Sequence, residues 1–214
     1  MTQTDVSLFL AARAPLPETD RLHLAETVAR VCRVELTEVA IEQRCERCGG
    51  AHGKPRVLQP PGTFVSLSRA GQTVAIAVSL LGPIGVDIES VSAVGRAGFD
   101  DVAFNGPERE ALQALPVTER DRVRAGLWTA KEAGLKLSGA GLTVDPRELT
   151  VGWRSQPSAS VLVLEPQLQL LSWPGASLDL AQVHLASFDA GPGLVGTVAV
   201  LGQEAPRIVL LLQT

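Results

Sequence analysis

Four side chains in this 214-residue chain have types and spacings suited to chemistry: Asp87, Glu89, Glu132 and Lys136. Asp87 and Glu89 stand at i and i+2 in Ile84-Gly85-Val86-Asp87-Ile88-Glu89, an apolar stretch with the pattern of a strand. Side chains alternate across a strand, so the two carboxylates share one face while Val86 and Ile88 occupy the other. Two like charges so close need a cation, solvent or a proton to relieve them. An edge strand with a wet acidic face would satisfy that need as well as a metal would. Glu132 and Lys136 are four apart on a predicted helix, with Trp128 one turn earlier on the same face. Alone they read as a surface ion pair. Taken together, three carboxylates and one ammonium form a hard, oxygen-rich donor set that selects Mg2+ or Mn2+. Mg2+ usually binds through a few carboxylates while phosphate oxygens and water complete its shell, and lysine suits the remaining phosphate charge. The chemistry indicated is transfer involving a phosphate ester, with the substrate unnamed.

These residues need elements to hold them. Upstream, Asp20 is expected to cap a helix whose apolar positions are Leu22, Ala25, Val28, Ala29 and Cys32, and Val39–Ile41 reads as a brief strand. Strands are expected at Thr63–Ser68 and Gln72–Leu80, turning at Arg69-Ala70-Gly71, and Val74–Val78 has the unbroken apolar run of a doubly buried strand. Leu81-Gly82-Pro83 then interrupts the chain just before the acidic strand. Val91–Asp100 reads as a loop. Gly106-Pro107 opens a helix through Leu115, and Thr118 caps a longer one over Glu119–Leu137 that stops at Gly139-Ala140-Gly141. Its buried stripe is Val123, Leu127, Ala130, Gly134 and Leu137. Strands follow at Leu149–Trp153, Val161–Leu164, Gln167–Trp173, Gln182–Phe188, Leu194–Leu201 and Arg207–Leu212, with Asp189–Gly193 as a hairpin turn. The pattern is α+β, helices packed on antiparallel sheets.

Composition narrows the function. With 4% aromatics, no tyrosine and a formal net charge of -4, the chain lacks both the stacking groups and the basic field of a nucleic-acid binder. Met1–Ala14 does not follow the pattern of a secretory signal, and no apolar run approaches the roughly 18 residues of a membrane span, so a soluble, cytoplasmic protein without membrane contact is expected. Three cysteines are too few for a disulfide scaffold. Cys45-x-x-Cys48, with His52 and Cys32, has the donors of a structural zinc site; reduced thiols in a glycine-rich loop are the alternative. In the same loop Arg47, His52 and Lys54 lie among glycines whose N–H groups can approach an anion.

The two chemical motifs match one family together. Gly85-Val86-Asp87-Ile88-Glu89 followed by Trp128-Thr129-Ala130-Lys131-Glu132-Ala133-Gly134-Leu135-Lys136 resembles the paired signature of the phosphopantetheinyl transferase superfamily, in the longer, pseudodimeric Sfp-type members. His52-Gly53-Lys54-Pro55 is similar to their Gly-Lys-Pro element, Ser66–Gly71 to their Asn-x-Ser-His-Ser-Gly segment, and Gly196–Val200 to their last strand. The sequence departs from that segment where Ser66 replaces asparagine and Arg69 replaces histidine; arginine can donate to a phosphate but cannot serve as a neutral base.

The resemblance implies two similar α+β subdomains in a pseudodimeric arrangement, 1–83 and 84–214, meeting near Gly82–Gly85, and a chain that works as a monomer. It implies transfer of the 4′-phosphopantetheine arm of coenzyme A to a serine of an apo acyl or peptidyl carrier protein, releasing adenosine 3′,5′-bisphosphate. By matched position Asp87, Glu89 and Glu132 hold Mg2+, Glu132 assists deprotonation of the serine, and Lys136 neutralises the leaving phosphate. Arg47, Lys54, Ser68 and Arg69 are the matching candidates for coenzyme A. Because carrier proteins are acidic around the modified serine, Arg120, Arg122 and Arg124 are expected to form a basic docking surface. Two other readings stay open: a zinc-binding interaction module built on Cys45 and Cys48, and a family member that binds coenzyme A without transferring the arm.

Overall fold

The computed structural model describes residues 5–13, 17–44, 49–50, 53–153 and 167–211. The N-terminal stretch Asp5–Ala12 forms a strand, β1, that the sequence pattern does not signal. It is followed by helix α1 (Pro17–Cys32), the short hairpin β2 (Ala40–Glu42) and β3 (Arg56–Gln59), then β4 (Phe64–Ala70) and β5 (Thr73–Ser79). The acidic strand is β6 (Ile84–Ser90). Four helices come next: α2 (Val91–Ala97), α3 (Asp100–Ala103), α4 (Gly106–Ala114) and the 22-residue α5 (Val117–Ser138). After α5 the described residues hold five strands: β7 (Thr150–Trp153), β8 (Leu168–Ser172), β9 (Val183–Phe188), β10 (Leu194–Leu201) and β11 (Arg207–Leu211).

The architecture is α+β. One sheet has the order β11-β1-β5-β4 and a second the order β6-β10-β9; β7 and β8 pair separately. Pairing is antiparallel except between β1 and β11, which run parallel, with Arg207 bonded to both oxygens of Asp5 at 2.9 Å. α1 covers one face of the first sheet through Leu24, Val28, Val65, Val74, Ile76 and Val78. The opposite face, carrying Val6, Leu8, Ala75 and Ala77, meets Ile84, Val86, Ile88 and Val198 of the second sheet. α5 lies across the far side of β6 and β10. Alternation along β6 therefore holds as expected: even-numbered apolar residues bury toward the first sheet, while Gly85, Asp87 and Glu89 face α5.

Several boundaries differ from the sequence expectation, each for a local reason. Asp20 lies inside the first turn of α1, and its carboxylate engages a side chain rather than capping the helix. Arg69 and Ala70 continue β4, so the turn is confined to Gly71-Gln72, with Gly71 at φ 54. Val91–Ala97 is helical despite a poor helix-forming composition. Its start is capped by Ser90 Oγ accepting from Ala93 N–H, its end by left-handed Gly98, and Val94 is buried against Ala125 and Val195. Tertiary burial overrides propensity there. α5 starts at Val117 behind Pro116 with no side-chain cap, so Thr118 is helical. The expected strand Val161–Leu164 lies outside the described residues.

Candidate functional site

The site forms where α5 crosses β6. Gly85 makes the crossing possible, because a Cβ on it would sit 1.9 Å from the Ala133 carbonyl oxygen and 2.6 Å from the Leu137 nitrogen. Close approach brings the Glu132–Lys136 stripe of α5 over the acidic face of β6. Thr129 and Thr197 exchange a buried 2.9 Å hydrogen bond that ties α5 to β10 behind it.

Asp87 is the centre. Its Oδ1 accepts from Lys136 Nζ at 2.6 Å and from Ser68 Oγ at 2.7 Å, while its Oδ2 is buried with no partner. Lys136 also donates to the Val86 carbonyl at 3.2 Å, and Val86 N–H donates to Ser66 Oγ at 2.9 Å. The lysine thus pairs with Asp87 across the elements, not with Glu132 along the helix. The Trp128 indole opposes the rise of the Glu89 carboxyl, so the tryptophan that shares the Glu132 face of α5 belongs to the surroundings of the site.

The carboxylates strain one another electrostatically. Burial pushes the Asp87 carboxyl above the usual aspartate range despite Lys136 and Ser68. Burial and then the Asp87 charge raise Glu89. Glu132 is pushed up to about 7, first by burial and then by Asp87, with Lys136 opposing. Among the described residues no three His, Cys, Asp or Glu side chains converge tightly enough to enclose a metal ion by themselves. Mg2+ does not require such a cage, since it keeps waters and takes substrate phosphate oxygens. An orphaned, buried carboxylate oxygen flanked by two charge-strained carboxylates is a donor set that fits a hard divalent cation.

The raised Glu132 has a measurable consequence for the metal-free protein. Its pKa is higher folded than unfolded, so its stabilising contribution is complete below about pH 4.5 and is lost as pH rises through about 7. Glu132→Gln removes the charge. In EDTA at pH 8 the variant is expected to be more stable by on the order of 2 kcal/mol, about 4–8 °C in Tm, with the gap closing near pH 4.5. Thermal unfolding of both proteins across that pH range checks this; equal Tm values at pH 8 would rule out the charge strain.

The other expected site residues separate. Ser68 and Arg69 are neighbours on β4 and point to opposite faces: Ser68 toward Asp87, Arg69 toward α1, where its Nε donates to Asp20 Oδ2 at 2.5 Å. They cannot grip one phosphate together. Lys54 brings its Nζ to the C-terminal end of α5, donating to the carbonyls of Lys136 and Leu137 at 2.6 and 3.0 Å. Burial of the ammonium against the end of α5 pushes it below the usual lysine range. Arg47, Cys45, Cys48 and His52 lie outside the described residues, and the zinc expectation with them. Cys32, the remaining donor of that set, contacts Thr63 Oγ1 at 3.4 Å.

The expected basic docking surface on α5 is largely engaged within the fold. Arg120 caps α4 by donating to the Gln113 and Leu115 carbonyls, and Arg124 is bound to Asp100 and Asp121. Lys131, which the sequence motif contains without assigning it a function, turns away from the site. It is fully buried, at 2.5 Å from Glu108 and bonded to the carbonyls of Ala103 and Pro146. A groove of about 1020 Å3 beside the first half of α5, lined by Arg122, Gly126, Leu168, His184, Leu185 and Phe188, includes none of the carboxylate site.

Comparison with known proteins meets this geometry directly. Residues 83–188, which contain Asp87, Glu89, Glu132 and Lys136, match the family model described as the 4′-phosphopantetheinyl transferase superfamily. The chain is similar to the 4′-phosphopantetheinyl transferase psf-1 of Bacillus pumilus, with 31% identity over 128 residues, 60% of this chain and 54% of that protein. It is also similar to a 4′-phosphopantetheinyl transferase of Bacillus subtilis, with 28% identity over 113 residues, 51% of this chain and 48% of that protein. The chain spans about half the length of these curated relatives. Over residues 83–188, where β6 and α5 carry both halves of the paired motif, the chain is similar to the 4′-phosphopantetheinyl transferase superfamily.

Proposed function

We propose that this protein is a 4′-phosphopantetheinyl transferase that moves the phosphopantetheine arm of coenzyme A to a serine hydroxyl of an apo acyl or peptidyl carrier protein. The observation that carries the reading is the Asp87 carboxylate: buried, ligated on Oδ1 by Lys136 and Ser68, and open on Oδ2. Asp87, Glu89 and Glu132 are the residues that would hold Mg2+, which when bound supplies positive charge to the pyrophosphate of coenzyme A.

The chain's own groups divide the remaining work. Glu132, on the face of α5 that overlies Asp87, is assigned as the acceptor of the serine proton. The serine oxygen forms a bond to the phosphorus that bears the pantetheine, and the bond to the other phosphate breaks. Adenosine 3′,5′-bisphosphate leaves with the bonding electrons. Lys136 is placed to stabilise the charge that develops there, and Ser68 keeps Asp87 oriented. Arg69, anchored at Nε by Asp20, has its terminal nitrogens available to a second phosphate on the α1 side. The subdomain division 1–83 and 84–214 draws support from the second sheet, β6-β10-β9, lying wholly within the later segment, although β11 of that segment crosses to pair with β1 in the first sheet.

The test is incubation with Mg2+, coenzyme A and a panel of apo carrier proteins, reading the carrier mass. A gain of one phosphopantetheine arm is expected. Asp87→Ala and Lys136→Ala should each lower kcat/KM by at least about 100-fold, the cost of losing a preorganised electrostatic group. Full activity in both variants would overturn the assignment, whereas coenzyme A binding with no mass gain on any carrier would favour a non-transferring family member.

A further inference from the structure

The last carbonyls of a helix lack intrahelical donors, and a cation there also meets the negative end of the helix dipole. In α5 two of these carbonyls belong to Lys136 and Leu137, and Lys54 Nζ serves both. The Lys136 carbonyl also accepts from the N–H of left-handed Gly139 at 3.3 Å. The backbone of Lys136 is therefore held from two sides while its side chain reaches Asp87 at 2.6 Å. The loop bearing Lys54 is itself anchored: the Gly53 carbonyl accepts from Gln43 Nε2 at 2.9 Å, and Gln43 Oε1 accepts from Arg21 Nε of α1 at 3.2 Å. Polar contacts thus run from α1, through Gln43 and residues 53–54, to the turn of α5 that carries Lys136.

We propose that Lys54 is a positioning residue for Lys136, capping α5 at the carbonyls of Lys136 and Leu137 so that the Lys136 ammonium stays on Asp87 Oδ1. This rests on the transferase reading for its kinetic consequence and differs from a phosphate-binding role for Lys54. A phosphate ligand raises KM for coenzyme A when removed, because it contributes to binding. A positioning residue lowers kcat instead, because the misplaced group is Lys136.

The variants are K54M, K54R, K136M and K54M/K136M, all in the full chain. Amide hydrogen exchange at residues 137–139, read without substrate, should quicken about 5- to 10-fold in K54M and return toward wild type in K54R. In the transfer assay K54M should lower kcat about 10-fold with KM for coenzyme A within about two-fold of wild type. K54M/K136M should be no slower than K136M, since residues acting through one another are not additive. Unchanged exchange in K54M overturns the cap. A raised KM with unchanged kcat, or additive losses in the double variant, overturns the action through Lys136. Absence of transfer by the wild-type protein with every carrier sinks the transferase reading, and the exchange measurement still decides whether Lys54 holds the end of α5.

Discussion

Gly85→Ala is expected to destabilise the protein by about 4 kcal/mol or to prevent folding, the upper end of what overpacking and backbone displacement cause. The reason is steric and not conformational, since Gly85 lies in regular strand β6. A Cβ at 1.9 Å from the Ala133 oxygen and 2.6 Å from the Leu137 nitrogen meets backbone, which cannot rotate aside as a side chain can. Either α5 lifts off β6 or the last turns of α5 unwind. Both outcomes also separate Glu132 and Lys136 from Asp87, so any protein that does fold should lose activity beyond its loss of stability. Gly134→Ala supplies the control on the same helix. Its Cβ would meet Leu149 Cδ2 at an ordinary 3.5 Å, and alanine favours a helix by about 1 kcal/mol over glycine. Chemical denaturation should therefore find Gly134→Ala neutral or more stable. A Gly85→Ala protein within about 1 kcal/mol of wild type would show that the α5–β6 approach is looser than this geometry requires.

The same pair of elements shows what a sequence discloses and what it withholds. Two-residue alternation placed Asp87 and Glu89 on one face of β6, and four-residue spacing placed Glu132 and Lys136 on one face of α5; both are properties of local geometry. The partner of Lys136 is a different matter. A helix offers it Glu132 one turn away, yet a buried carboxylate with little access to water competes better for an ammonium than a wetter one, so Asp87 takes it. Arg69 illustrates a boundary error with a functional cost. Ending the strand at Ser68 left Arg69 in a turn, free to face any direction. Its place in β4 obliges it to oppose Ser68, and the buried Asp20 then fixes it toward α1. Helix α2 and strand β1 escape a sequence reading for a related reason: local propensity does not signal either, and burial against Ala125 and Val195, or pairing between β5 and β11, decides their state.

Lys131 and Lys136, five apart in one motif, should respond to substitution in opposite ways. Lys131 is fully buried, and Glu108, its partner at 2.5 Å, has only 2% of its side chain exposed. Glu108 also accepts the N–H groups of Val151 at 2.8 Å and Asn105 at 3.0 Å, so the pair joins α4, α5 and β7. Burial lowers the Lys131 ammonium, and the hydrogen bond to Glu108 opposes that. Lys131→Met leaves a carboxylate with no counter-charge inside the protein, at a cost of about 3–5 kcal/mol and a fall in Tm of about 6–20 °C. Pairing it with Glu108→Gln should recover a large part of that loss, because the stranded charge is what costs most and the amide can keep one backbone bond. Below its Tm, Lys131→Met should transfer at close to the wild-type rate, since its ammonium contacts none of Asp87, Glu89 or Glu132. Lys136→Met reverses the pattern, with a small change in Tm and a large loss of activity. If Lys131→Met instead kept its Tm and lost its activity, the assignment of the two lysines would have to be exchanged. The motif's first lysine, on this geometry, holds the helix in the fold, and its second is the one we propose meets the reaction.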